Sequence, residues 1–136
     1  MIEENEISRK IIGCAIEVHR ELGPGLLESV YEECLCHELS LAGLNFVRQE
    51  RVPIRYKGIL LGTPLRLDLW VDSKVIIDVK AKQETTDIDK QQLLTYLRLC
   101  DVRLGLIINF NHMRMIDGIA RIVNNLPEHT DEQIDF

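Results

Sequence analysis

The sequence predicts an α/β (α+β) chain: a mixed central sheet with helices on its faces, in the rough order ααβββαββ. Three observations carry this. The first forty-odd residues repeat their apolar side chains at helical spacing. The stretch from Leu65 to Ala81 alternates apolar and polar residues with period two on both sides of a short turn. The run Leu104 to Phe110 (LGLIINF) is almost wholly apolar, as a strand buried on both faces must be.

The elements follow in chain order. Asn5 to Leu22 is a helix, with Ile7, Ile11, Ile12, Ala15, Ile16, Val18 and Leu22 on its stripe and Gly23-Pro24-Gly25 to end it. Leu26 to Ala42 is a second helix, stopped by Gly43, and so short a turn makes the two neighbours. Asn45 to Tyr56 becomes extended, and Pro53 marks an edge or a bulge. Lys57-Gly58 and Gly62-Thr63-Pro64 are turns. Asp87 to Cys100 is a third helix, capped by Thr85 or Thr86. Met113 to Val123 supplies one more short strand. Residues 1–126 form one domain. The acidic, polar segment 127–136 is a flexible tail.

The hairpin holds the chemistry. Turning at Asp72-Ser73-Lys74 pairs Val71 with Val75, Leu69 with Ile77 and Leu67 with Val79. The same register sets Asp68 opposite Asp78 and Arg66 opposite Lys80. Two facing carboxylates repel, and a hard divalent cation offsets that repulsion. Lys80 shares a face with Asp78, where its ammonium stabilises charge developing on a phosphoryl oxygen. The plainer reading is a solvated sheet face carrying an ordinary ion pair.

Other candidates surround this pair. Gln92 and Tyr96 share the inward side of the third helix with Ile88 and Leu99, and orient a substrate phosphate or Lys80. A satisfied core amide and tyrosine would look the same. Glu28 lies in the first turn of the second helix, beside Tyr31 and Leu35. It either favours the helix dipole or reaches inward as a third carboxylate. His19 falls on the apolar face of the first helix, the usual place of a hydrogen-bonded core histidine.

Composition narrows the class. Hydrophobic residues are 46% and charged residues 28%, which excludes wholesale disorder. No apolar run spans a bilayer and no leader is evident, so the expected location is cytoplasmic. Cys14, Cys34, Cys36 and Cys100 lack zinc spacing and read as free thiols. The net charge of −6 argues against a generic nucleic-acid coat protein. Yet Phe46 to Ile116 carries 12 Lys/Arg against 8 Asp/Glu, a local excess able to hold a phosphate backbone.

Asp68, Asp78-Val79-Lys80 and Gln92-Leu93-Leu94-Thr95-Tyr96 together resemble the PD-(D/E)XK nuclease superfamily in its RecB-like, QxxxY form. Gly25-Leu26-Leu27-Glu28-Ser29-Val30-Tyr31 resembles the motif of its GxxExxY family, as do the segments 19–25 and 105–110. The resemblance implies a restriction-endonuclease-like core and a metal-dependent nuclease acting on DNA or RNA. It implies Mg²⁺ or Mn²⁺ on Asp68, Asp78 and Glu28, catalysis by Asp68, Asp78 and Lys80, and support from Gln92, Tyr96, Tyr31 and His19. The family more often has Glu at the position of Asp78, and Leu67 stands where the motif has proline. Two other readings stay open: a non-catalytic nucleic-acid- or nucleotide-binding module, and a dimeric regulatory or interaction protein.

Overall fold

The computed structural model describes residues 3–127. Helices α1 (Glu4–Leu22) and α2 (Glu28–Leu41) open the chain. Strand β1 (Phe46–Val52) follows, then a small hairpin of β2 (Arg55–Tyr56) and β3 (Ile59–Leu60). Strands β4 (Leu65–Val71) and β5 (Val75–Lys80) precede α3 (Asp87–Cys100). Strand β6 (Leu104–Asn109), a 3₁₀ turn (Met115–Gly118) and β7 (Ile119–Val123) complete it. The acidic tail lies outside the described residues, save Pro127.

The main sheet has the order β1-β4-β5-β6-β7. Every pairing is antiparallel except β5 with β6, which run parallel. A parallel pair needs a crossover, and α3 supplies it. Thr86 begins α3 with a capping box: its hydroxyl accepts the Asp89 amide, and the Asp89 carboxylate accepts the Thr86 amide. The mixed α/β class read from the sequence is therefore the observed one. Pro53 does follow an edge strand, β1.

Two cores lie on opposite faces of the sheet. On one, α1 and α2 cover Leu69, Val71, Val75, Ile77, Val79, Leu104, Leu106 and Ile108. On the other, Leu93 and Leu97 of α3 cover Leu67, Ile76, Val102 and Ile107. Strand β6 is buried along its whole length, as its sequence requires. No helix among the described residues is long and apolar enough to cross a membrane.

Three details correct the sequence reading. Helix α2 begins at Glu28 rather than Leu26, because Leu27 is extended and the Leu26 amide donates to the Tyr31 hydroxyl. Lys57-Gly58 is a turn as expected, but Ile59–Leu60, which the sequence reading leaves unassigned, pairs back on Arg55–Tyr56 as a short β2–β3 hairpin. The third concerns β4 and β5, and it makes the candidate site.

Candidate active site where the hairpin splits

The β4–β5 ladder pairs Val71 with Val75, Trp70 with Ile76 and Leu69 with Ile77, as the alternation predicts, and stops there. Leu67 does not continue opposite Val79. Leu69 packs under α1 and α2, but Leu67 packs under α3. Strict alternation would keep both on one face, so β4 changes face at Asp68. The cause is the Asp68 carboxylate, whose Oδ2 accepts the Val79 amide at 2.8 Å. Arg66 consequently faces Arg51 of β1, not Lys80, and Lys80 lies beside Asn109 of β6.

Gln49 marks the same point on β1. Its neighbours Arg48 and Glu50 pair with Leu69 and Leu67, while Gln49 itself turns left-handed at φ 55°. Non-glycine residues seldom adopt that conformation. Its amide nitrogen reaches Glu32 Oε1 at 2.9 Å and Asp68 Oδ1 at 3.4 Å. Glu32 is buried and also accepts Arg48 Nε at 2.6 Å. Neither Gln49 nor Glu32 stood out in the sequence. The available signal was Glu32's place one helical turn after Glu28, on the same face of α2.

Asp78 and Lys80 form the other side of the split. Lys80 Nζ lies 3.4 Å from Asp78 Oδ2, and both side chains are largely buried. Burial pushes the Asp78 carboxyl up to about 7. Lys80 pulls it down, and contact with Asp68 raises it again. Burial disfavours the Lys80 ammonium, but Asp78, Asp89 and Glu28 together hold it above its ordinary value. Lys80 therefore stays protonated at neutral pH.

Glu28 is exposed on the first turn of α2 and faces the same cluster. Partial burial raises its carboxyl, Asp68 and Glu32 raise it further, and Lys80 and Lys82 lower it. Tyr96 is half-buried on α3, with its phenol raised by burial and then by the charge of Asp78. Gln92 is not on the inward side: it is exposed, as are Ile88 and Leu99. The inward stripe of α3 is instead Asp89, Leu93 and Leu97.

His19 and Tyr31 are engaged elsewhere. His19 Nε2 bonds the His112 carbonyl at 2.7 Å and joins α1 to the segment after β6. The Tyr31 hydroxyl donates to the Gly23 carbonyl at 2.5 Å, accepts the Leu26 amide at 3.1 Å, and its ring stacks on Phe110. Tyr31 thus fixes the turn from which the helix bearing Glu28 starts.

A second support escaped the sequence reading. Asn109 is fully buried at the end of β6. Its Oδ1 accepts the Lys82 and Asn111 amides, and its Nδ2 donates to the Lys82 carbonyl and Thr85 Oγ1. It pins the chain leaving Lys80. Lys82 in turn pairs with Asp89. The apolar run around Asn109 hid it.

The donor chemistry suits a hard cation: Asp68 and Asp78 touch, and Glu28 lies within their field. Among the described residues, no three acidic, histidine or cysteine side chains already stand as a ligating cluster. The four cysteines are free thiols. A family model described as the PD-(D/E)XK nuclease superfamily matches residues 5–122. No curated protein and no solved structure gives a significant match.

Proposed function

Because the chain belongs to the PD-(D/E)XK nuclease superfamily, we propose that it is a metal-dependent phosphodiesterase acting on DNA or RNA at Asp68, Asp78 and Lys80. Within the superfamily we assign it to the GxxExxY group on Gly25, Glu28 and Tyr31. The observation that carries the proposal is the split hairpin. There two carboxylates meet, one pushed up to about 7, beside an ammonium held in its charged form. Such an arrangement is unfavourable in isolation, and perturbed groups of this kind gather at functional sites.

Asp68, Asp78 and Glu28 would hold Mg²⁺ or Mn²⁺, which when bound supplies an activated water and neutralises the leaving oxygen. Asp68 has one oxygen committed to the Val79 amide, and the other lies 3.4 Å from the Gln49 amide nitrogen. Lys80, protonated at neutral pH, donates to a phosphoryl oxygen rather than abstracting a proton. Tyr96 borders the cluster from α3 and orients the phosphate. Gln92, exposed one turn earlier, meets the nucleic acid only where it passes over α3.

The test is cleavage of mixed single- and double-stranded DNA and RNA by wild type, Asp78→Ala and Lys80→Ala in Mg²⁺, Mn²⁺ and EDTA. Cleavage abolished by EDTA and by both substitutions supports the nuclease. A folded wild type that cleaves nothing in either metal overturns it and leaves a binding module on a nuclease fold.

A further inference from the structure

The β2–β3 hairpin and its root have no part in the site described so far. From Arg51 to Leu67 the chain carries four cations, Arg51, Arg55, Lys57 and Arg66, and no acid, although its net charge is −6. Arg51 and Arg66 are direct cross-strand partners on β1 and β4. Leu65 and Leu67 on either side of Arg66 are buried, so both arginines project from the opposite, exposed face. Like charges placed opposite each other destabilise a ladder. Neither arginine, nor Arg55, has an ion pair or hydrogen bond from its side chain among the described residues.

Beyond this pair the chain continues as an arm. The Leu61 amide bonds the Ile54 carbonyl at 2.9 Å, and Tyr56 pairs with Ile59 across a turn at Lys57 and Gly58, both left-handed. All six residues from Arg55 to Leu60 are exposed. Tyr56 is 59% exposed and Ile59 63%, side by side. Lys57 Nζ sits 5.5 Å from the centre of the Tyr56 ring. An apolar tip flanked only by cations matches a polyanion whose apolar faces are open. Unpaired bases offer such faces; bases stacked in a duplex do not.

We propose that this arm grips a single-stranded stretch of polynucleotide. Arg51 and Arg66 hold a phosphate between them, Arg55 and Lys57 a neighbouring one, and Tyr56 with Ile59 receives an unpaired base. The root of the arm lies two residues from Asp68 on β4, so the strand is led toward the split hairpin. Only that last step rests on the nuclease reading.

The test is anisotropy of short labelled single strands and duplexes with the full chain in EDTA. Two double variants are compared with wild type: Arg51→Gln with Arg66→Gln, and Tyr56→Ser with Ile59→Ser. The arginine pair should lower the salt slope of single-strand binding by about 0.7, the share of the one phosphate they hold. The tip pair should weaken single-strand binding about ten-fold or more and leave duplex binding nearly unchanged. Both sites are exposed, so circular dichroism should report folded variants. Wild-type affinity in both variants overturns the proposal. So does a change in sedimentation with unchanged nucleic-acid binding, which would make the arm a protein interface. A wild type that binds through the arm but never cleaves removes the nuclease and keeps the arm. Both variants binding and, in Mg²⁺, cleaving as wild type does would do the reverse.

Discussion

Replacing Asp78 by asparagine should stabilise the metal-free protein while removing its proposed activity. The Asp78 carboxyl ordinarily titrates at 3.8 and is pushed up to about 7 here, chiefly by burial. The folded state therefore binds this proton more tightly than the unfolded state does. Its charged form costs folding energy that is absent below about pH 4, grows as pH rises, and levels off above about pH 7. At about 1.4 kcal/mol per pH unit, the upper limit of the change between pH 5 and pH 8 is roughly 3 kcal/mol. Lys80 loses its partner in the variant, which offsets part of this. A net gain on the order of 1–2 kcal/mol at pH 8 remains, or about 4–7 °C in Tm for a chain of this size. The assay is thermal or urea unfolding of both proteins in EDTA across pH 5 to 8. The stability difference should grow with pH. A variant less stable than wild type at pH 8, or a difference independent of pH, would refute the reasoning.

Asp68 permits a cleaner separation of roles. Asp68→Asn keeps an acceptor for the Val79 amide, so urea unfolding should change by less than about 1 kcal/mol, whereas Asp68→Ala orphans that amide and should cost about 1–3 kcal/mol; neither should cleave nucleic acid. Gly118→Ala should lose several kcal/mol, on the order of a severe core overpacking, because a Cβ there would overlap the Asn109 carbonyl oxygen. A soluble variant of wild-type Tm would contradict the close approach. Tyr31→Phe keeps the stack on Phe110 but loses the bonds to Gly23 and Leu26. It should cost about 1–2 kcal/mol in urea unfolding with KM unchanged, and a raised KM would instead give Tyr31 a direct role in binding.

Much of the fold was readable because burial imposes a period. The stripe on α1, the alternation of β4 and β5 and the apolar run of β6 each follow from what must leave water. The bounds of α3 match because its cap is a side-chain motif, Thr86 with Asp89. Alternation failed at Leu67. It assumes a continuous ladder, and a carboxylate that captures a backbone amide breaks that assumption. Gln92 failed for a related reason: the spacing to Tyr96 is right, but helix rotation toward the sheet is decided by Leu93 and Leu97. Asp68, Asp78 and Lys80 were legible because charge inside an apolar pattern is conspicuous. Glu32 and Gln49 were not, since one sits among other helix acids and the other in a polar edge strand. The bond that unites them, spanning 17 residues of sequence, exists only once the fold forms.

A regular β4–β5 ladder would satisfy the Val79 amide with backbone and leave Asp68 a surface carboxylate. Using the side chain instead draws Asp68 in toward the buried Asp78 and turns Leu67 toward the core of α3. It leaves Gln49 of β1 left-handed and bonded to both Asp68 and Glu32. Each step is locally unfavourable, whether as repulsion, strain or lost pairing; the Asp78 variant acts on the first and the Asp68 variants on the last. They are tolerated because two continuous cores hold the sheet on either side of the defect. Local unfavourable geometry supported by a well-packed surround is how folds hold reactive groups in place. On this view the weakest point of the sheet and the proposed site coincide for one physical reason: the Asp68 carboxylate does the work of a backbone carbonyl.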